Sequence, residues 1–147
     1  MSSTVGLKIG KAIFDILKNN ANLNGTNLLN NDAKLIQPAP LKDVSDPDLA
    51  ITYEIDSMQA INVKRVYRSL TAPLYLVDFT LECFARDYSN SILLSDAAAA
   101  AFQEAETDGT FGSVKVNGFN FLSASETYNK ERRYYSKQLS FSARVLL

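Results

Sequence analysis

The sequence predicts an α+β fold in which an antiparallel or mixed β-sheet of about five strands carries two helices packed on one face. Helical periodicity occurs in two places along the 147 residues, near the amino terminus and in the middle of the chain. Most remaining segments alternate apolar and polar residues with the two-residue period of a strand. Because this order indicates one sheet covered on one side, we expect a single domain spanning 1–147.

The first third of the chain predicts a helix, a loop and a short strand. An amphipathic helix is predicted over about 4–19, where apolar residues recur every three or four positions. The segment ANLNGTNLLNNDA after it favours a surface loop, because asparagine side chains compete for backbone hydrogen bonds. A short edge strand is predicted over 34–36.

A long irregular connection precedes the next strand. Residues 37–49 contain Pro38, Pro40 and Pro47, and proline cannot donate a hydrogen bond to a sheet ladder. Long connections of this kind are often functional. Strict alternation of apolar and polar residues over 51–56 then predicts a half-buried strand.

The remaining elements follow from composition and alternation. The β-branched and aromatic content of 61–70 favours another strand, and 74–86 has the strongest strand pattern, with apolar residues on both faces, as in a central strand. A helix begins near Ser89, and its alanine run at 97–101 permits close approach to a sheet. The alternation changes at 117–118, which predicts a bulge or tight turn. A final alternating strand follows the predicted hairpin loop TYNKER.

The composition excludes several classes of protein. A net charge of -1 argues against a whole-domain electrostatic grip on DNA. One cysteine excludes an internal disulfide framework, which fits a reducing compartment. The amino terminus lacks the continuous apolar segment of a signal peptide, and no stretch is long and apolar enough to span a bilayer. We therefore expect a soluble protein made in the cytosol, without a membrane partner.

Catalytic and metal-binding patterns are weak. Cys83 lies on the predicted central strand, where Glu82 and Phe84 point to the opposite face, so we interpret it as a buried structural cysteine. The chain has no histidine, which excludes Cys-His and Ser-His pairs and makes a zinc site very improbable. Glu54 and Asp56 share a strand face, and a solvated face explains them better than catalysis. No catalytic residue, cofactor or metal is expected, and the protein is not expected to be an enzyme.

Two segments partly match the patterns of a calcium loop and of a phosphate-binding loop. Residues 43–54 begin with aspartate and end with glutamate, but Asp48 occupies the position where a calcium loop requires glycine. The segment Gly109 to Gly112 lacks the lysine of a phosphate-binding loop. Neither pattern predicts a site.

Two clusters combine basic and aromatic residues, a composition found both in protein interfaces and in nucleic-acid-binding surfaces. They consist of Lys64, Arg65 and Arg68 and, further along, of Arg132, Arg133, Tyr134 and Tyr135. Solvated charges at strand ends would explain them equally well. Of the two functional interpretations, we favour a protein interface.

The order of these segments has a recognisable layout over nearly the full chain. A short amphipathic helix (VGLKIGKAIFDIL) opens it, and a proline-bearing approach leads into a strand (QPAPLKDVSDPDLAITYEI). A long strand with a polar turn runs into an alanine-rich helix (VDFTLECFARDYSNSILLSDAAAAAF). A strand, a tyrosine-containing hairpin loop and a final alternating strand close it (FNFLSASETYNKERRYYSKQLSFSARV). This layout resembles the tail-completion, or tail terminator, proteins of long-tailed bacteriophages, although the asparagine-rich insertion is longer than the family leads us to expect.

The resemblance implies a structural virion protein at the head-proximal neck of the tail, assembled in the host cytoplasm. Such proteins form a ring, expected to be hexameric, that caps the tail tube, stops its polymerisation and offers a surface for joining the head. The implied partners are further copies of the chain, the tail tube protein and the head–tail connector protein, while DNA passes through the lumen without sequence-specific contact. Contacts with copies or with the tube are assigned to Pro38, Pro40, Pro47, Lys64, Arg65, Arg68, Arg132, Arg133, Tyr134 and Tyr135.

Two alternatives stay open at this stage. One is a head-completion connector or tube-like ring protein of the same virion neck. The other is a small nucleic-acid-binding domain that uses the two basic clusters and whose binding would weaken with salt.

Overall fold

A computed structural model describes most of the chain. The described residues are 2–20, 35–39, 48–60, 74–105, 110–111, 114–131 and 133–146. In chain order they form α1 (Ser2–Lys18), β1 (Ile36–Pro38), β2 (Leu49–Ala60), β3 (Leu74–Ala85), α2 (Tyr88–Ala105), β4 (Thr110–Phe111), β5 (Val114–Asn129) and β6 (Tyr134–Leu146). No helix in these ranges is long and apolar enough to cross a membrane.

The described strands form one mixed sheet in the order β1-β2-β3-β6-β5-β4. Only β1 and β2 are parallel, and the other neighbours are antiparallel. The pairing of β3 with β6 is continuous from Leu74 with Leu146 to Ala85 with Tyr135. The α+β class with a mixed sheet and two helices is thus confirmed, and β3 is a central strand as its two-sided apolar content predicted.

Both helices pack on the same face of the sheet. The core joins buried side chains of α1 and α2 to alternate residues of β3 and β6, among them Val77, Phe79, Leu81, Phe141 and Ala143. Since side chains alternate across a strand, residues such as Asp78 and Ser142 project from the opposite face. Burial of this one apolar face supplies the main driving force for the fold.

Phe79 is at the centre of this core. Its side chain is 1% exposed. Its ring centroid lies 5.4 Å from those of Phe102 on α2 and Phe141 on β6, and 6.2 Å from that of Phe119 on β5. One aromatic cluster therefore joins the second helix to three strands.

The second helix begins and packs as its sequence dictates. The Asp87 carboxylate accepts a hydrogen bond from the backbone N–H of Asn90 at 3.3 Å, which caps the first turn. Ala98 and Ala101 are buried against the sheet, where small side chains let the helix lie close. The buried Ser91 and Ser95 donate to the carbonyls of Tyr88 and Ile92, so their hydroxyls have partners inside the helix.

Several predicted boundaries were wrong. The first strand begins at Ile36 rather than 34 and ends at Pro38, which a three-residue edge strand tolerates because proline lacks only a donor. β2 extends to Ala60 because a bulge between Ile55 and Ser57 lets pairing continue past the strict alternation.

The last hairpin also differs from its prediction. The predicted loop TYNKER is shorter than expected, since Thr127 and Tyr128 belong to β5 and pair with β6. The irregularity predicted at 117–118 is confirmed as a register shift between Val116 and Phe119. The predicted strand 61–70 and the asparagine-rich loop lie outside the described residues.

Candidate assembly interface

The two edges of the sheet are only partly paired within the described ranges. β1 pairs with β2 at 51–53, and β4 pairs with β5 at Val114 and Lys115. Beyond these short pairings no described strand lies alongside 54–59 of β2, here called the β2 edge, or 116–128 of β5, here called the β5 edge. An edge strand with unpaired backbone groups is a place where another chain can add.

A groove of about 500 Å³ adjoins the β2 edge. It lies between α1 and the end of β1, and its walls include Lys11, Phe14, Pro38, Tyr53, Glu54 and Ile55. Gly10 also lines it, where a Cβ atom would lie 3.7 Å from Cε2 of Tyr53, an ordinary van der Waals contact. The lining is thus largely apolar, with one lysine and one glutamate.

Tyr53 presents a protonated hydroxyl beside this groove. Partial burial raises the pKa of the Tyr53 phenol above its ordinary value, and the negative charge of Asp15 raises it further. The hydroxyl can therefore donate a hydrogen bond at any physiological pH.

The β5 edge is exposed along most of its length. Every side chain from 120 to 131 is exposed, including Phe121 at 51%, Leu122 at 57% and Tyr128 at 47%. A register shift between Phe121 and Ser123 is followed by regular pairing with β6 as far as Asn129. From Phe119 to Tyr128 the segment contains no proline, lysine or arginine, residues that commonly protect an edge strand from other chains.

The one acidic group of this segment is engaged within the chain. The Glu126 carboxylate lies 3.9 Å from the Lys137 ammonium and accepts a hydrogen bond from the Tyr88 hydroxyl at 3.2 Å. This hydrogen bond and the nearby charge raise the pKa of Tyr88. Tyr135 packs against Tyr128 and Tyr88 with centroid separations of 4.6 and 5.4 Å, so three tyrosines cluster at the hairpin end of the sheet.

The hairpin between β5 and β6 contains a left-handed residue, Arg133, and packs against Arg86. Arg133 adopts φ 61°, a left-handed conformation uncommon outside glycine, and its backbone N–H donates to the Asn129 carbonyl at 2.8 Å. Tyr134 is 5% exposed, with its ring 4.5 Å from the Arg86 guanidinium. Arg86 also lies 3.7 Å from the Asp48 carboxylate, so it connects the hairpin to the start of β2.

The predicted interface residues are distributed unevenly in the structure. Pro38 is exposed and lines the groove, and Arg133 is exposed in the hairpin turn. Tyr135 is half-buried in the tyrosine cluster, and Tyr134 is buried beneath Arg86. The others lie outside the described residues: Pro40, Pro47, Lys64, Arg65, Arg68 and Arg132. Arg133, Tyr134 and Tyr135 thus lie at the hairpin between β5 and β6, whereas Pro38 lies on the edge strand β1.

Cys83 is a core residue, as predicted. Its side chain is fully buried in the helix-covered face, and burial raises the pKa of its thiol to about 12. The charge of Glu82 adds to this rise, and that of Lys137 opposes it. Because the thiolate is the nucleophilic form, this cysteine is inert while the chain is folded.

We expect the Cys83 thiol to react with an aromatic disulfide reagent near neutral pH only as fast as the protein unfolds. Because folding raises the pKa of the Cys83 thiol, the contribution of this group to the free energy of unfolding is fully present below pH 9.0, its ordinary pKa. This contribution is lost progressively as the pH rises towards about 12. Urea titrations above pH 9 would show this loss in the wild type and less of it in Cys83→Ala. Fast labelling of the folded protein would contradict this assignment.

The paired carboxylates of β2 belong to no cluster of metal ligands among the described residues. Glu54 and Asp56 are both exposed, and the bulge after Ile55 separates them in the ladder. Asp56 accepts a hydrogen bond from the Thr80 hydroxyl, and Asp78 accepts one from Ser57 at 3.1 Å. No group of three potential metal ligands occurs in the described part of the chain. These carboxylates fit the predicted solvated face.

Comparison with known proteins identifies the fold. No protein-family model matches the sequence, and no curated protein matches it. Among solved structures, the chain is similar to a chain of the "Virion of native gene transfer agent (GTA) particle", with a TM-score of 0.65 and 18% sequence identity. The similarity covers 97% of this chain and 98% of that chain. At this identity it establishes a shared fold, which extends over almost the whole of both chains.

Sequence reasoning missed the most exposed apolar side chains of the sheet. Phe121 and Leu122 fall in the run FNFL, to which no interface role was assigned. The change of alternation at 117–118, just before this run, was the available signal, since a bulge alters which way neighbouring side chains point. The sequence does not show which strand lies beside these residues, so their exposure could not be predicted from it.

Proposed function

We propose that this protein is a structural virion component that caps the head-proximal end of a phage tail tube as a ring, expected to be hexameric. The ring ends tube polymerisation and presents the surface that joins tail to head. The observation that carries the proposal is the fold, which is shared almost end to end with a chain of a gene transfer agent virion. The more specific role, capping of the tail tube, is proposed because the order of elements resembles that of tail terminator proteins.

The physical properties of the chain support a role in assembly. A ring of identical subunits needs two different surfaces on each copy that fit one another and close after a fixed number of copies. The β2 edge with its groove and the exposed β5 edge lie on opposite lateral edges of one sheet and supply two such surfaces. The proposal needs no bond-making chemistry, cofactor or metal.

The proposed partners follow from the position of the ring. One ring face binds the tail tube protein and the other binds the head–tail connector protein, while DNA crosses the lumen without sequence-specific contacts. Arg133 and Tyr135 at the hairpin end, and Pro38 beside the groove, are proposed contact residues. The basic residues Lys64, Arg65, Arg68 and Arg132, with Pro40 and Pro47, complete the proposed contacts.

Deleting the gene for this protein from its virus should yield tail tubes of uncontrolled length and filled heads without tails. Electron microscopy measures tail length directly, and expression of the wild-type chain from a plasmid should restore the normal length. The matched control is a plasmid carrying a frameshifted gene. Tails of normal length without the protein would contradict the proposal.

The alternatives give different outcomes in two further experiments. Purified protein should bind tails from the deletion lysate, whereas a head-completion protein would bind filled heads instead. A small nucleic-acid-binding domain would shift DNA in a gel at low salt and lose the shift as salt rises. We expect tail binding and no gel shift.

A further inference from the structure

The exposed apolar side chains concentrate on the two partly paired edges of the sheet. Across the described residues, six large hydrophobic side chains are exposed, and four of them lie on β2 or β5. These four are Met58, Phe121, Leu122 and Tyr128. The largely apolar groove lined by residues of α1, β1 and β2 also adjoins the β2 edge. Exposed apolar surface at such sites marks places where proteins interact.

The two edges have matching faces. On the helix-covered face, the β2 edge presents Ile55 and Met58, which pair with Phe79 and Val77. The β5 edge presents Phe119 and Phe121 on this same face, paired with Ala143 and Phe141, while Glu126 lies further along it beside Lys137.

The opposite face is polar at both edges. There the β2 edge presents Glu54 and Ser57, and the β5 edge presents Ser123, Ser125 and Thr127. The carboxylate of Glu54 would meet hydroxyl groups rather than another charge. Continuing the sheet from one edge to the other would therefore place apolar beside apolar and polar beside polar side chains.

We propose that the β5 edge of one copy adds to the β2 edge of the next, so that the sheet continues from subunit to subunit. Phe121 and Leu122 of the incoming copy then occupy the groove between α1 and β2. Strand addition supplies main-chain hydrogen bonds, and the groove supplies specificity through the side chains it accepts. This inference rests on the proposed ring, for which it names the subunit contact.

The shapes of the two edges favour this head-to-tail contact over self-pairing. The β2 edge offers a concave apolar groove, while the β5 edge offers exposed apolar side chains that can enter it. If two β2 edges paired with each other, neither groove would receive the side chains of a β5 edge. If two β5 edges paired with each other, the grooves of both copies would stay empty. A contact between different surfaces also repeats around a ring, whereas a self-pairing contact ends at a dimer.

The first test is Leu122→Asp, with Leu93→Asp as its matched control. Leu122 on β5 and Leu93 on α2 are exposed to a similar degree, 57% and 54%. A charge buried in an apolar contact is costly, so Leu122→Asp should weaken self-association at least about tenfold in sedimentation velocity experiments. Leu93→Asp should leave it unchanged, and thermal unfolding of both variants checks that they fold.

The second test joins the two edges covalently. Ser57 on the β2 edge and Asn120 on the β5 edge are both exposed and lie on the polar face. They lie level with each other across the sheet, through the paired Asp78 and Ser142. In a Cys83→Ala background, Ser57→Cys with Asn120→Cys should give a ladder of cross-linked oligomers with a short thiol cross-linker. Either cysteine alone should give no ladder. The reaction is run on concentrated protein and on purified particles that carry the variants.

The outcomes separate this inference from the proposed function. A ladder together with weakened association in Leu122→Asp supports the contact. Absence of a ladder in both preparations, or efficient dimers from Asn120→Cys alone, would overturn it even if the protein caps tails. A ladder from a protein whose deletion leaves tails unchanged would keep the contact and remove the tail-capping role.

Discussion

Replacing Phe79 by alanine is expected to lower the free energy of unfolding by about 3–5 kcal/mol. The side chain is 1% exposed and its ring contacts those of Phe102, Phe119 and Phe141. The substitution removes apolar contacts with one helix and two other strands and leaves a cavity that these elements cannot fill without moving. Urea unfolding followed by circular dichroism measures the change.

Phe121→Ala is the matched control for this experiment. The same atoms are removed, but from a side chain that is 51% exposed, lies outside the core cluster and has its ring 5.5 Å from that of Phe141. We expect a loss below about 1 kcal/mol, as for most surface substitutions. Equal losses for the two variants would mean that Phe79 does not occupy the centre of the core.

The second large effect is expected from Ala98→Leu on α2. Ala98 is fully buried where the helix meets the sheet, so a larger side chain must push the helix away or adopt a strained rotamer. Overpacking of this kind costs about 1–3 kcal/mol. The loss should appear as a lower urea midpoint with an unchanged dependence on urea concentration.

Ala100→Leu provides the control within the same helix. Ala100 is only half-buried and lies outside the core cluster, while the change in helix propensity is the same. We expect a small effect of either sign. If Ala100→Leu destabilised the protein as much as Ala98→Leu, the helix would be packed through a different face from the one described.

The faces of the strands could be predicted because alternation is a property of consecutive residues. Val77, Phe79 and Leu81 repeat every second position, and so do Leu139, Phe141 and Ala143, which determines which side of each strand is buried. Strand ends were less predictable. Pro38 and the bulge after Ile55 break the local pattern, yet pairing with a neighbouring strand continues through both.

The candidate interface was predicted less well than the fold. Basic and aromatic clusters drew attention to Arg133, Tyr134 and Tyr135, but Tyr134 packs beneath Arg86 inside the chain. The exposed Leu122 was not among the predicted interface residues. Composition indicates that a side chain is suited to an interface, whereas its accessibility depends on which distant strand lies beside it.

The sequence by itself determined the kinds of elements, their order, the buried face of each central strand and the lack of histidine-based chemistry. Only the tertiary structure decided the strand order, the strand boundaries and the exposure of the β2 and β5 edges. The physical reason is that periodicity is encoded between near neighbours in the chain. Pairing and burial instead arise from contacts between residues far apart in sequence, such as Phe79 with Phe141.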